Sequence, residues 1–294
     1  MDELSALDIV AMRAVETCDA TRTLWSDDDR AWASRAAAEV VGEGAAAEAF
    51  LARRASLVVE RLGGRHPTLA RTLRALRWRP WVGAVLVASA FVLGLFVDQV
   101  DVSQSVNILA PPVLGLIVWN AVVYLVILGG YVVRYGDDAG PGPLRRALAR
   151  VAAGLSRPRR AGALREALLA IVSDWAMRSG SLYAVRAGRI LHLSAAALAA
   201  GVVAGLYLRG IAFEYRATWQ STFLDPSTVR TLVAIAYAPG SYVTGIAVPT
   251  TQEVAAIRAP LSENAARWLH LMAATMGALV IVPRLFLALP GLGR

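Results

Sequence analysis

Four long stretches almost without charge constrain this chain more than any other feature: Trp81–Val97, Asn107–Val133, Ile190–Leu208 and Trp268–Leu289. Runs of this length and polarity match the thickness of a bilayer better than the core of a soluble domain. Composition agrees. Hydrophobic residues make up 56% and charged residues 18% of 294, with a mean hydropathy of +0.50. A soluble domain is usually nearer a quarter charged. The expectation is an all-α, polytopic membrane protein with four spans, in regions 81–133 (two spans and a short turn), 190–208 and 268–294.

Each run carries its own signals. The first is at the short end for a span. The second has Pro111-Pro112 near its start, where a missing donor costs least, and Asn107 to cap that turn. Asn120 is the one strongly polar side chain in its middle, so it should face another helix and make an interhelical hydrogen bond; a pore-lining role is the alternative. In the third, Ala197, Gly201 and Gly205 repeat every four positions, the geometry of close helix packing, and His192 reads as interfacial. In the fourth, Pro283 should kink or end the helix and Arg284 should snorkel to the interface.

All 30 basic residues are arginine, and their placement orients the chain. Residues 61–79 hold six arginines and no acid, whereas 98–106 hold Asp98 and Asp101 and no base. Residues 134–190 hold eleven arginines against four acids, a net +7, and 209–267 are nearly balanced at five against four. Arginine excess beside a span marks the cytoplasmic side. Both termini are therefore expected in the cytoplasm, with 98–106 and 209–267 outside.

The connecting segments read as helical. Residues 1–80 suggest three or four helices: one opened by Ser26 and Asp27–Asp29 and running to Val41, one from Ala45 to Leu62 ended by Gly63-Gly64, and a basic helix begun by Pro67, near anionic headgroups, whose leucines at 69, 73 and 76 share a face. Residues 134–189 suggest two amphipathic helices, near 143–155 and 161–178, either hugging the membrane or docking an acidic partner. The docking face would comprise Arg145, Arg146, Arg157, Arg159 and Arg160. In 209–267 the four-residue spacing of Ile211, Tyr215, Trp219 and Phe223 suggests an aromatic ridge on a helix, lying on the bilayer or over the ends of the spans. Asp225-Pro226 reads as N-cap and N1 of a helix over 226–238, too short to span and open to a re-entrant reading. Thr250 with Glu253 forms a capping box.

Motifs of catalysis are missing. The chain has no GxxxxGK[ST] loop, no HExxH and no G-x-S-x-G, its three histidines are scattered, and its one cysteine, Cys18, excludes an intrachain disulfide. The external acids Glu214, Asp225, Glu253 and Glu263 read as solvated helix faces. No run carries a charge at its middle, which weighs against coupled transport. The expectation is a non-enzymatic adaptor or sensor without cofactor or metal; the alternatives are a pore or a transporter.

The strings NILAPPVLGLIVWN (107–120), LYLRGIAFEYRATWQSTFLD (206–225) and WLHLMAATMGALVIVPRLFLAL (268–289), with FLARRA…RL from Phe50 to Leu62, resemble the DUF2868 family of bacterial membrane proteins of unknown function. The resemblance implies a partnership with a cytoplasmic GTPase-domain protein and implies no catalytic residue. It also implies, for many members, a soluble part beyond the last span, so this chain reads as a short or a truncated member. The partners expected are thus the lipid bilayer, such a GTPase and a second copy of the chain, with no nucleic acid.

Overall fold

The computed structural model describes residues 1–42, 44–97, 105–109, 113–134 and 162–289. The chain divides into two compact units, Met1–Arg79 with Ala139–Ala184, and Pro80–Asp138 with Val185–Arg294.

The first unit contains α1 (Glu3–Cys18), α2 (Asp27–Val41), α3 (Ala47–Arg65), α4 (Pro67–Leu76) and the start of α7 (Ala163–Ala212). Local chemistry sets several boundaries. Ser26 caps α2 by accepting from the Asp29 N–H, and Pro67 opens α4. The Asp29 carboxylate does not complete a capping box. It takes Arg65 in a two-point pair at 2.6 and 3.0 Å, with Arg61 at 3.2 Å. That pair explains why α3 runs through Gly63-Gly64, where the sequence suggests a stop. A tertiary ion pair outweighs the helix-breaking tendency of two glycines. The core is built on Leu7, Trp25, Val58, Leu62, Leu69, Leu73, Ile171 and Trp175. The leucine face of α4 is thus buried in protein, with Arg71 and Arg74 exposed. The 19–25 loop is tied by Asp19, whose carboxylate accepts from the N–H groups of Thr23, Leu24 and Trp25 at 3.0, 2.8 and 2.8 Å. Burial pushes this carboxyl up, but those backbone donors outweigh it and hold it below the usual range.

The second unit contains α5 (Pro80–Phe96), β1 (Ser105–Asn107), α6 (Val113–Arg134), the rest of α7, β2 (Arg216–Thr218), α8 (Pro226–Thr244), α9 (Thr251–Ala256), β3 (Glu263–Asn264), α10 (Ala266–Met276), a π-helical turn (Gly277–Ile281) and α11 (Val282–Leu287). The expectation of four spans is corrected. Among the described residues two helical stretches are long and apolar enough to cross a membrane: Ala163–Ala212, and Ala266–Leu287 through the π turn. They become three only if α4 and α5 count together as one broken span. An uncharged run is not a helix of equal length. The first run makes a 17-residue helix, and the second begins its helix only at Val113, with Leu114–Gly130 as its apolar stretch. A straight span needs about 20 residues at 1.5 Å each.

The small-residue stripe does what its spacing suggests. A Cβ at Gly201 would overlap the Phe91 carbonyl, one at Gly94 the Leu198 carbonyl, and one at Gly205 would lie 2.8 Å from the Leu95 carbonyl. Gly83 faces Ile190 in the same sense, so α5 and the apolar part of α7 run parallel at backbone contact.

The chain is mostly helical but not all-α. β1 pairs with β2 in parallel and β2 with β3 antiparallel. Residues 105–107, 216–218 and 263–264 thus share one small sheet, which puts the segments on either side of the apolar helices onto one end of this unit. The 209–267 segment is therefore not wholly helical. α7 stops at Ala212, and Tyr215, Trp219 and Phe223 follow in extended and irregular chain. A spacing of four is even, so it fits the two-residue alternation of a strand as well as a helix turn. The caps of this region are as their residues suggest: Asp225 with Pro226 opens α8, and Thr250 with Glu253 makes a complete capping box on α9.

Candidate functional site

Asn120 lies on α6, is buried, and uses both ends of its amide. Nδ2 donates to the Leu116 carbonyl one turn back at 2.8 Å. Oδ1 accepts from Nε of Arg284 on α11 at 2.7 Å. The expected partner on another helix exists, and it is charged. Nη1 of the same guanidinium lies 3.1 Å from Nδ1 of His192 on α7, and the group stands over the Tyr124 ring at 5.2 Å. Arg284 is 5% exposed, so the expectation that it snorkels to the interface is corrected. It is a buried charge near the end of the fourth run, not at its middle.

The π turn positions this cluster. Proline at 283 has no N–H to give the Leu279 carbonyl, which the next α-helical turn would require, and Tyr124 Oη donates to that carbonyl at 3.0 Å. One α6 helix thus supplies Asn120 for the arginine and Tyr124, one turn on, for the irregular backbone beside it. π turns inside α-helices gather at functional sites.

The electrostatics are one-sided. Among the described residues no carboxylate pairs with Arg284. Its partners are a neutral amide, an imidazole and an aromatic face. A guanidinium buried among apolar helices with only these partners carries a desolvation cost. A charge kept at that cost can hold helices in register, favour an anion, or couple helix position to a field.

The remaining candidates separate. Trp219 is fully buried; its Nε1 donates to the Val254 carbonyl at 2.7 Å and its ring carries the Arg258 guanidinium at 5.3 Å. Tyr215 is half-buried against the same core, and Phe223 is 95% exposed. The three do not form one surface. Arg145, Arg146, Arg157, Arg159 and Arg160 lie outside the described residues. His270 pairs with Tyr207 at 2.7 Å, while Met272 and Met276 are buried in the core.

The acids of 209–267 are tied to structure. Arg267 bridges Glu253 and Glu263 at 2.9 and 3.1 Å, and Asp225 caps α8. The Arg267 hydrogen bond, helped by Thr250, holds the Glu253 carboxyl down at about 2. A shallow cleft over the sheet, lined by Ser105, Glu214, Arg216, Thr218 and Ser262, has its arginine taken up by Glu214 and Ser262.

Sequence reasoning singled out Asn120 but neither of its partners as a site. The signal was present as Asn120 and Arg284, strongly polar residues in separate apolar runs, each in need of the other.

No curated protein and no solved structure matches the chain. One family does, described as a protein of unknown function (DUF2868), over residues 151–294. The match takes in Arg284, His192 and the 206–225 block, while Asn120 and the strings at 50–62 and 107–120 lie outside it. That match assigns residues 151–294 to the DUF2868 family.

Proposed function

We propose that this helical membrane protein is a non-enzymatic adaptor or sensor, set in the bacterial cytoplasmic membrane with both termini inside, that presents its first unit to a cytoplasmic partner. The observation that carries the reading is the membership of one helix, α7, in two cores. Ala167, Ile171 and Trp175 belong to the core of the first unit, and Ala199, Val202 and Leu206 to that of the second. A helix so shared gives a membrane event a route to a soluble surface. Residues 105–107 and 216–218 pair in one sheet and so share a side of the membrane, and the reading sets both termini on the other. The arginine excess of 61–79 and 134–190 names that side as cytoplasmic.

The partner class we favour is a cytoplasmic GTPase-domain protein, docked on the arginine-rich 134–190 segment; charge complementarity there would speed and orient encounter. Mild crosslinking in native membranes, followed by mass spectrometry, tests the adaptor reading. Recovery of a GTPase-domain protein is expected. Recovery of no cytoplasmic protein would remove the reading.

A second reading, a pore or transporter, draws on the buried Arg284–Asn120–His192 cluster. Reconstituted bilayers separate the two. Conductance or anion flux that changes in Asn120→Leu would favour the second reading, and silence across voltage and tension would favour the adaptor.

A further inference from the structure

Helix α8 is apolar on two opposite faces. Val229, Val233, Tyr237 and Gly240 form one stripe, buried against α10. Leu232, Ile235, Tyr242 and Val243 form another, exposed at 44%, 71%, 92% and 64%. A helix apolar all round belongs in a core or a membrane. Between Arg230 and Glu253 the chain carries no charge for 22 residues.

The direction of α8 is fixed by its contacts. Tyr237 packs edge-on against Trp268 with ring centroids 6.3 Å apart. Three residues later Gly240 meets the Leu271 carbonyl at backbone contact, and its N–H donates to Thr275 Oγ1 at 3.2 Å. Rising numbers meet rising numbers, so α8 descends beside the Ala266–Leu287 stretch, in the same direction. It then turns at Gly245 in the left-handed region (φ 73°) and comes back. By α9 the chain is again at the sheet, where the Val254 carbonyl receives the Trp219 indole N–H.

At the tip of this excursion several backbone polar groups are satisfied within the chain, as lipid demands. Gly245 N–H donates to the Ser241 carbonyl at 2.9 Å, and Ser241 Oγ donates to the Ile246 carbonyl at 2.7 Å. Ile246 N–H donates to Thr244 Oγ1 at 3.2 Å, and that hydroxyl donates to the Gly240 carbonyl at 2.7 Å. On the return, Ile246 and Val248 pack on the core, and Pro249 has no N–H to satisfy.

We infer that residues 232–248 form a re-entrant hairpin, entering the bilayer from the sheet side beside α10 and leaving on the same side, with the Leu232, Ile235, Tyr242 and Val243 face covered by lipid acyl chains. The inference requires that Ala266–Leu287 cross the membrane; it does not require the adaptor reading.

Spin labels test it on the full chain in phosphatidylcholine vesicles, in a Cys18→Ala background, with single cysteines at Ile235, Tyr242, Ser227 and Val282. Labels at 235 and 242 should be broadened by oxygen and not by a water-soluble nickel chelate, and the label at 227 should show the reverse. Nickel broadening at 235 and 242 would overturn the hairpin, and so would shielding from both agents, which would mean cover by protein or a second copy. Oxygen without nickel at 282 keeps the span; nickel at 282 would remove the span itself and separates that failure from failure of the hairpin. In sealed native-membrane vesicles an impermeant maleimide should label Ser227→Cys and Gln252→Cys from one and the same side. Labelling from opposite sides would make the segment a crossing and end the proposal.

Discussion

Arg284 on α11 donates through Nε to Oδ1 of Asn120 on α6 at 2.7 Å, across 164 residues of chain. Removing either partner leaves the other buried and unsatisfied. Asn120→Leu should therefore destabilise the folded protein by about 1–3 kcal/mol, the usual cost of an orphaned buried polar group. Removing both should cost less than the sum of the single losses. The measurement is a double-mutant cycle with Asn120→Leu and Arg284→Met, read by thermal unfolding in detergent. Strict additivity would mean that the bond contributes nothing.

The backbone contact between α5 and α7 makes a second expectation. A valine at Gly201 would drive its Cβ into the Phe91 carbonyl. Neither helix can yield without losing the neighbouring contacts at Gly94 and Gly205, so Gly201→Val should cost about 1–3 kcal/mol, as overpacking does. Gly180→Ala, with open space around its Cβ, serves as the tolerated control. Thermal unfolding of both variants checks the contrast; an unchanged Gly201→Val would refute the packing.

Acid should loosen the first unit through Asp29. The Arg65 hydrogen bonds, opposed by burial and joined by the Arg65 and Arg61 charges, hold this carboxyl below its ordinary 3.8. A depressed folded value means that ionised Asp29 contributes stability that is complete above 3.8 and lost as pH falls through the lower folded value. Asp29→Asn should unfold more easily at neutral pH and lose part of the acid sensitivity below pH 3.8. Denaturant titrations at a series of pH values, followed by circular dichroism, test this; parallel curves for both proteins would contradict it.

Much of the helical architecture was legible because its signals are local. Ser26, Asp225-Pro226 and Thr250 with Glu253 mark helix starts through hydrogen bonds spanning three residues, and those starts are where they stand. What was not legible depended on distant partners. Gly63-Gly64 continues as helix because Asp29, far back in the chain, holds Arg65. Tyr215, Trp219 and Phe223 left the helix because β1 and β3 offered strand partners to Arg216–Thr218. Arg284 is buried because Asn120 and His192 wait for it on two other helices, and distance along a run says nothing of depth. The count of spans failed for a similar reason: absence of charge bounds where a span can be, not how long the helix there is.

Docking of a cytoplasmic partner on the arginine-rich 134–190 segment is open to a binding measurement. The full chain in nanodiscs is titrated with a purified GTPase-domain protein, beside a variant with Arg145, Arg146, Arg157, Arg159 and Arg160 all changed to glutamate. Saturable binding to the wild type that weakens as salt rises is expected, with loss of most of that binding in the variant. Equal binding by both proteins, or none by the wild type, would contradict it.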